Sequence, residues 1–196
     1  MNCTSSSAVE NIVDFWFLPE GTPGHGQPRK EWFRKDPAFD AEIGERFGNM
    51  VEQALAGALT DWQRWPEGAL ARILLLDQFT RNMFRGSARA FAGDALALAA
   101  AQDMVARQAD LKLPAVQRWF VYLPFEHAES LAAQSESVAL FAALNGHGEF
   151  ADAYDYALRH YHVIRRFGRF PHRNALLGRP STPEELTFLQ QPGSSF

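Results

Sequence analysis

The chain has 196 residues, of which 46% are hydrophobic and 13% are aromatic. This length and composition suit a globular protein with a substantial core. The formal net charge of -4 gives no global attraction to nucleic acid or to an anionic membrane, so neither is expected as a partner. No apolar run approaches the roughly 18 residues that a membrane-spanning helix needs. The single cysteine, Cys3, excludes an intramolecular disulfide and fits a cytoplasmic protein.

The first half of the chain has the pattern of amphipathic helices separated by turns. The spacing of Ser7 and Glu10 predicts a capping box and a short first helix. Asp36, which precedes a proline, predicts the cap of a second helix. From Pro66 to Phe84 the apolar residues surround the helix axis on nearly all sides. This third helix is therefore expected to be central and buried.

Further helices are predicted in the second half of the chain. Residues 87–108 form one of them, and its buried stripe is expected to include Ala95. A short helix follows Pro114, and Pro124 is expected to open a long helix that continues to Leu144. Small side chains along these segments indicate helices that approach one another closely.

The C-terminal part predicts two capped helices. The first spans residues 150–167, and Gly168 is its expected C-cap. The last helix has Thr182 and Glu185 at capping-box spacing, with a proline at its first position. Both helices have apolar residues on one side that are expected to pack onto the rest of the protein.

No segment has the alternating pattern of a half-buried strand, and no repeat with a period of about 20 to 50 residues is evident. We therefore predict an all-α fold of eight or nine helices. Because no linker divides the chain, a single domain over residues 7–191 is expected, with tails at residues 1–6 and 192–196.

Polar side chains interrupt the apolar faces of three predicted helices. Burying such a group without a partner costs about 1 to 3 kcal/mol, so these residues are expected to meet one another, water or a ligand. Helical spacing places most of them on the inward face and Glu126 at its edge. The residues are Asp77, Arg81, Glu126, His127, Gln134 and His160.

Each of these groups has a structural and a functional interpretation. Asp77 and Arg81, four residues apart, are either a buried ion pair that sets helix register or an anion grip in which Asp77 orients Arg81. His127 and His160 are either satisfied core histidines or histidines of a site. His162 falls on the polar face and is expected at the surface.

Three basic residues, Arg169, His172 and Arg173, cluster around a predicted turn after the helix over residues 150–167. One interpretation is that they cover the mouth of a site and bind a phosphate or carboxylate group. The other is that they interact with the carbonyl groups at the C-terminus of that helix, where cations are favoured.

No motif identifies a reaction, since the chain has no GxSxG elbow, no phosphate-binding loop and no cysteine nucleophile. His160 and His162 diverge by about 200° around a helix, which disfavours joint chelation, so neither a metal nor another cofactor is expected. An enzyme built on these residues would use acid/base chemistry. His127 or His160 would transfer the proton, while Asp77 or Glu126 would tune its pKa.

Three strings resemble a bacterial family known as domain-of-unknown-function family 924: LLLDQFTRNMFRG, RWFVYLPFEHAESLAAQSESVALF and RFGRFPHRNALLGRPSTPEELTFL. The resemblance runs from about Val9 to Leu189. It implies a right-handed helical superhelix related to tetratricopeptide-repeat folds, and it implies no activity. The positions that carry the family motifs include Asp77, Arg81, Asn82, His127 and Glu185.

Three hypotheses about function therefore remain. The first is binding of a small anionic molecule or a peptide in a polar pocket between helices. The second is a hydrolase-like acid/base enzyme, and the third is a purely structural polar network. The sequence gives no indication of the oligomeric state.

Overall fold

The structure is a computed structural model that describes residues 3–146 and 148–194, with the backbone alone for Cys3 and Thr4. Within these residues the regular elements are all helical and no strand is present, so the all-α prediction is confirmed. The tetratricopeptide-like superhelix stays an expectation. In the described part of the chain, no helix has both the length and the apolar character needed to cross a bilayer.

The helices are separated by loops and short turns. In chain order they are α1 (Cys3–Phe17), α2 (Pro37–Leu55), α3 (Pro66–Ile73), a π-helical segment (Leu74–Phe79), α4 (Thr80–Met83), α5 (Asp94–Ala106), α6 (Ala115–His127), α7 (Leu131–Leu144), α8 (Ala151–Phe167) and α9 (Pro183–Leu189). Short 3-10 helices occupy Lys30–Trp32, Thr60–Arg64, Ala88–Phe91, Asp110–Lys112 and Pro171–Arg173.

The described residues fall into two compact units. The first unit contains residues 3–85 and 89–124, and the second contains residues 86–88 and the described chain from Phe125 onward. The expected single domain over residues 7–191 stays a prediction. The expected tails stay predictions too, but the cap predicted at Ser7 is wrong, because α1 already begins at Cys3. Serine is tolerated in helices, which allows the extension.

The first unit is organised by α2 and an aromatic core. Asp36 caps α2 as predicted, since its Oδ1 accepts hydrogen bonds from the backbone N of Ala38 at 3.1 Å and of Phe39 at 3.3 Å. Phe15 of α1 stacks on Phe39 with ring centroids 5.2 Å apart. Trp16 meets Phe79 at 5.4 Å. These contacts bury the apolar face of α2, which the helical periodicity indicates.

The predicted central helix is buried but irregular. Every residue from Ala71 to Thr80 is buried. However, the α-helical ladder gives way to π-helical geometry over Leu74–Phe79, the segment that contains Asp77. Such π-helical turns are rare and are often found at functional sites. Hydrophobic periodicity does not reveal a local change of this kind.

The predicted buried face of α5 is wrong. Ala95 is exposed, and the buried residues are Ala97, Ala100, Ala101 and Met104. The helix begins at Asp94, directly after Gly93, where an added Cβ would lie 2.1 Å from the carbonyl oxygen of Leu76. This close approach to the π-helical segment selects a face of small side chains, which periodicity alone does not distinguish from its neighbours.

The predicted boundaries around Pro124 are also wrong. Pro124 lies inside α6, which ends at His127, and α7 starts only at Leu131. Ser130 caps α7 through its side chain, which accepts a hydrogen bond from Ala133 N at 3.5 Å. The predicted continuous helix is thus interrupted, because the sequence supplies a capping residue between α6 and α7.

The second unit is built on the packing of α7 against α8. Gly168 ends α8 in the left-handed conformation, with φ of 71°, as predicted. Thr182 and Glu185 form the predicted capping box of α9. Residues 174–177 form a turn. The chain between α8 and α9 carries three basic residues of the candidate site, Arg169, His172 and Arg173.

Candidate functional site

His160 of α8 is the centre of the candidate site in the second unit. Its side chain is buried, as predicted, and its Nδ1 lies 2.9 Å from the carbonyl oxygen of Tyr156. Nδ1 is also 3.2 Å from Oε1 of Glu126, which is buried at the end of α6. The structure therefore brings together two of the residues that the sequence singles out, one from each of two helices.

Burial and the neighbouring groups determine the protonation state of this imidazole. Burial lowers the pKa of His160 to about 3, and the positive charges of His127, Arg173 and His172 act in the same direction. They outweigh the hydrogen bond to Tyr156 O, which favours the charged form. We therefore interpret the contact with Glu126 as a hydrogen bond to a neutral imidazole and not as an ion pair. The two oxygens next to Nδ1 favour the tautomer with the proton on Nδ1.

Aromatic and basic side chains surround this imidazole. The ring of Phe170 is 5.4 Å from His160 and 5.6 Å from His172, measured between centroids. The guanidinium of Arg173 lies over the same phenyl ring at 4.5 Å. The ring of His127 is 6.3 Å from that of His160. Phe170 thus holds two of the basic groups beside the buried histidine. Sequence reasoning did not single out Phe170.

Gln134 of α7 has a structural contact and an unsatisfied atom. Its Nε2 donates to the backbone oxygens of Glu126 at 2.5 Å and Ala128 at 2.9 Å, which caps the C-terminus of α6. Its Oε1 and the Oγ of Ser137, three residues later, are buried without a hydrogen-bond partner among the described residues. Buried polar atoms of this kind require a water molecule or a ligand group.

Glu129 positions the turn that carries Phe170. Its Oε1 accepts a hydrogen bond from Phe170 N at 2.7 Å, and Arg179 binds both of its oxygens at 2.6 and 2.8 Å. Burial alone would raise the pKa of Glu129, but these hydrogen bonds hold it below its ordinary value. In one continuous helix from Pro124 to Leu144, Glu129 would lie on the face opposite His127. Ser130, the N-cap of α7, is the sequence signal for the helix break that changes the direction of Glu129.

Arg169 is engaged with another residue of the C-terminal segment. Its Nε and Nη2 bind the two oxygens of Glu185 at 2.6 and 2.8 Å. Glu185 also accepts hydrogen bonds from Asn174 Nδ2 at 3.3 Å and Thr182 N at 2.7 Å. The hydrogen bond from Arg169 is the main cause that lowers the pKa of Glu185 to about 2. Arg169 therefore anchors α9.

Asp77 and Arg81 lie in the first unit and pair as predicted, with Asp77 Oδ1 at 3.1 Å from Arg81 Nη1. Arg81 also binds both oxygens of Asp94, at 2.8 and 3.2 Å. Gln78 donates to Asp77 at 2.6 Å. Although burial opposes it, the charges of Asp77 and Asp94 raise the pKa of Arg81. An arginine held by two carboxylates favours the structural interpretation. The predicted meeting of this pair with the histidines stays a prediction.

No metal site accompanies these residues. Within the described part of the chain, no group of three or more His, Cys, Asp or Glu side chains has the arrangement needed to hold a metal ion. The polar groups of the second unit are instead arranged around hydrogen bonds and positive charge.

The fold and the site define an all-helical protein whose second unit buries a histidine–carboxylate contact among basic and aromatic side chains. The sequence profile of the family described as "Bacterial protein of unknown function (DUF924)" matches residues 12–193. The chain belongs to this family, as the motifs predict.

A solved structure described as the protein of unknown function ATU0120 from Agrobacterium tumefaciens is similar to this chain. The two share 39% sequence identity and superpose with a TM-score of 0.84, over 95% of this chain and 98% of that chain. A comparison with curated proteins finds no match.

His160 gives the first testable prediction. Because its folded pKa, about 3, lies below the unfolded value of 6.5, the unfolded chain takes up the proton first as the pH falls. Stability is thus full above pH 6.5 and declines below it. Between pH 7 and pH 5, the wild type should lose about 2 kcal/mol of unfolding free energy relative to His160→Gln. Urea denaturation at the two pH values measures the difference.

His162→Gln is the matched control, because this histidine lies on the same helix but is exposed. It should retain the pH dependence of the wild type. Identical pH dependence in wild type and His160→Gln would show that His160 is not held neutral by burial.

Proposed function

We propose that the protein binds a small anionic molecule in its second unit, through Arg173, His127 and His172 around the buried His160. The observation that carries the proposal is the concentration of basic side chains on one buried, neutral imidazole. The ring of His127 lies 6.3 Å from that of His160, and Arg173 and His172 contact Phe170 at 4.5 and 5.6 Å. A negatively charged ligand group would be attracted by the guanidinium of Arg173, and by either neighbouring histidine when it is protonated.

Unsatisfied hydrogen-bonding groups on α7, the neighbouring helix, support a polar ligand. Gln134 Oε1 and Ser137 Oγ are buried on α7, the helix that packs along α8, and neither atom has a hydrogen-bond partner in the described structure. A ligand hydroxyl or amine, or an ordered water, would satisfy them. Phe170 supplies an apolar wall next to the basic groups. Few polar groups on an apolar lining are typical of small-molecule sites.

The location of such a ligand is expected to be the cytoplasm, since the single cysteine and the acidic net charge fit that compartment. A peptide is the alternative occupant, and it would have to present an acidic side chain or its terminal carboxylate to the same basic groups. A small molecule is preferred because the central imidazole is buried, with 4% of its surface exposed.

An acid/base enzyme is the second candidate, favoured by the contact between Glu126 and His160. The carboxylate and Tyr156 O share the proton of Nδ1. The other ring nitrogen, Nε2, is then the proton acceptor of the ring, and the negative charge of a bound substrate would raise the low pKa of His160 towards the range in which it can act as a base. Conversion of a bound compound that is lost in His160→Gln, with binding retained, would support this candidate.

The test of binding is a thermal-shift screen with pairs of compounds that differ only in charge, such as carboxylates with their amides and phosphate esters with their alcohols. At about 100 times the dissociation constant, a ligand should raise the melting temperature of the wild type by about 5 °C. The shift should vanish in Arg173→Met and in His160→Gln, with circular dichroism used to confirm that both variants fold.

Arg165→Met is the control, because Arg165 is an exposed residue of α8 and should not affect the response. Equal stabilisation by charged and neutral partners would contradict an anion site. If no compound shifts the wild type, the polar groups are better explained as a structural network.

A further inference from the structure

Arg72 of α3 is a buried cation in the first unit. Its side chain is almost fully covered, since the residue is 4% exposed. The protein accepts one hydrogen bond from this side chain: Nε donates to the carbonyl oxygen of Ala58 at a long 3.3 Å. Among the residues that the structure describes, no carboxylate pairs with its guanidinium. A guanidinium has five N–H donors, so most of them are not occupied by protein groups of the described chain and are left for solvent or a ligand.

The other buried charged residues of the first unit each have a side-chain partner among the described residues. Asp77 is held by Arg81 and Gln78. Asp110 accepts a hydrogen bond from the hydroxyl of Tyr122 at 2.6 Å. Proteins rarely bury a charged group without a partner, because the loss of hydration is costly. Burial accordingly lowers the pKa of Arg72. Arg72 thus differs from Asp77 and Asp110, because its partner is a backbone carbonyl and no side chain of the described residues pairs with it.

We propose that Arg72 binds an oxyanion, namely a carboxylate or phosphate group of a small molecule, beside the loop that follows α2. The planar guanidinium fork matches two oxygens of such a group. The small exposed fraction marks an edge of the side chain that solvent, and so an anion, can approach. This site lies in the first unit and does not depend on the function proposed for the second.

A structural role for Arg72 is the alternative. Ala58 follows the C-terminal end of α2, where unpaired carbonyls attract cations, so Arg72 could serve only to stabilise that end. The two roles differ in one respect. A helix-stabilising arginine needs no anion, whereas an anion-binding arginine should respond directly to one at its N–H groups.

The experiment is a titration followed by NMR of the arginine Nε–H resonances, with sodium phosphate, sodium acetate and sodium chloride at matched ionic strength. The Arg72 resonance is assigned as the peak absent from Arg72→Met, or from Arg72→Lys if the methionine variant does not fold. We expect a saturable shift of this peak with phosphate or acetate but not with chloride. The salt that acts identifies the type of oxyanion.

Arg64 is the internal control, because its side chain is 79% exposed and should drift linearly with any salt. The same saturable response in Arg173→Met would separate this site from the one proposed in the second unit. An Arg72 resonance that moves no more than that of Arg64 with phosphate and acetate would overturn the proposal and leave Arg72 as a support for α2.

Discussion

Glu185→Gln is expected to lower the unfolding free energy by about 2 to 4 kcal/mol at pH 7, because it removes a buried charge with several hydrogen bonds. Glu185 is 2% exposed and connects Arg169, Asn174 and the N-terminus of α9. Glutamine keeps the shape but can no longer balance Arg169 with two equivalent oxygens. Urea denaturation followed by circular dichroism measures the loss.

The effect of this substitution should depend on pH. The folded pKa of Glu185, about 2, lies below the ordinary value of 4.5. Its contribution is therefore complete above pH 4.5 and is lost as the pH falls from there towards 2. The difference between wild type and Glu185→Gln should shrink when it is measured at pH 3. A difference of equal size at pH 3 and pH 7 would contradict this electrostatic account.

Glu184 is a suitable neighbour for comparison. It binds Arg166 at 2.9 Å, but both side chains are largely exposed, at 63% and 49%. Exposed pairs contribute at most about 1 kcal/mol, so Glu184→Gln should be close to wild type. Similar losses in the two variants would indicate that α9 is not anchored by Glu185 in particular.

Gly93→Ala is expected to destabilise the first unit by about 3 kcal/mol or more, or to prevent folding. The added methyl group would overlap with backbone atoms, which cannot move aside without distorting the fold. The added Cβ would meet three backbone atoms of Leu76, the closest at 2.1 Å. Gly93 has φ of -91°, which alanine also adopts, so the effect comes from space and not from backbone strain. Denaturant unfolding provides the measurement.

Gly44→Ala is the control for Gly93→Ala. Gly44 lies within α2, and an added Cβ there would meet nothing within 4 Å. Since alanine is the better helix former, this variant should be more stable than wild type by up to about 1 kcal/mol. If both variants were stabilised, the close contact between the start of α5 and the π-helical segment would be wrong.

The features that could be predicted from the sequence are helix caps and inward helix faces, which depend on residues close together in the chain. Asp36, Gly168 and the Thr182–Glu185 pair act on their own helix ends, so their roles follow from neighbouring residues. The burial of His160 follows from helical periodicity, because its α8 neighbours at three- and four-residue spacing are apolar. These features require no knowledge of which helices pack together.

The remaining features depend on tertiary contacts. The π-helical segment, the alanine face of α5 and the second carboxylate on Arg81 arise where separate elements meet. Likewise, Phe170 reaches His160, and Glu129 reaches Phe170, only after the chain turns between α8 and α9. Periodicity in a single sequence identifies inward residues but not their partners. It therefore predicts the central His160 but not Phe170 and Glu129, which surround it.

The anion site proposed here lies in the basic cluster around His160. The most direct test is to record the imidazole resonances of the protein by NMR while adding the charged and neutral compounds of the thermal-shift screen. We expect an anionic compound to shift the resonances of His127, His160 and His172 together, its neutral partner to leave them in place, and Arg173→Met to abolish the response. Imidazole resonances that stay unmoved by every anionic compound would contradict the claim.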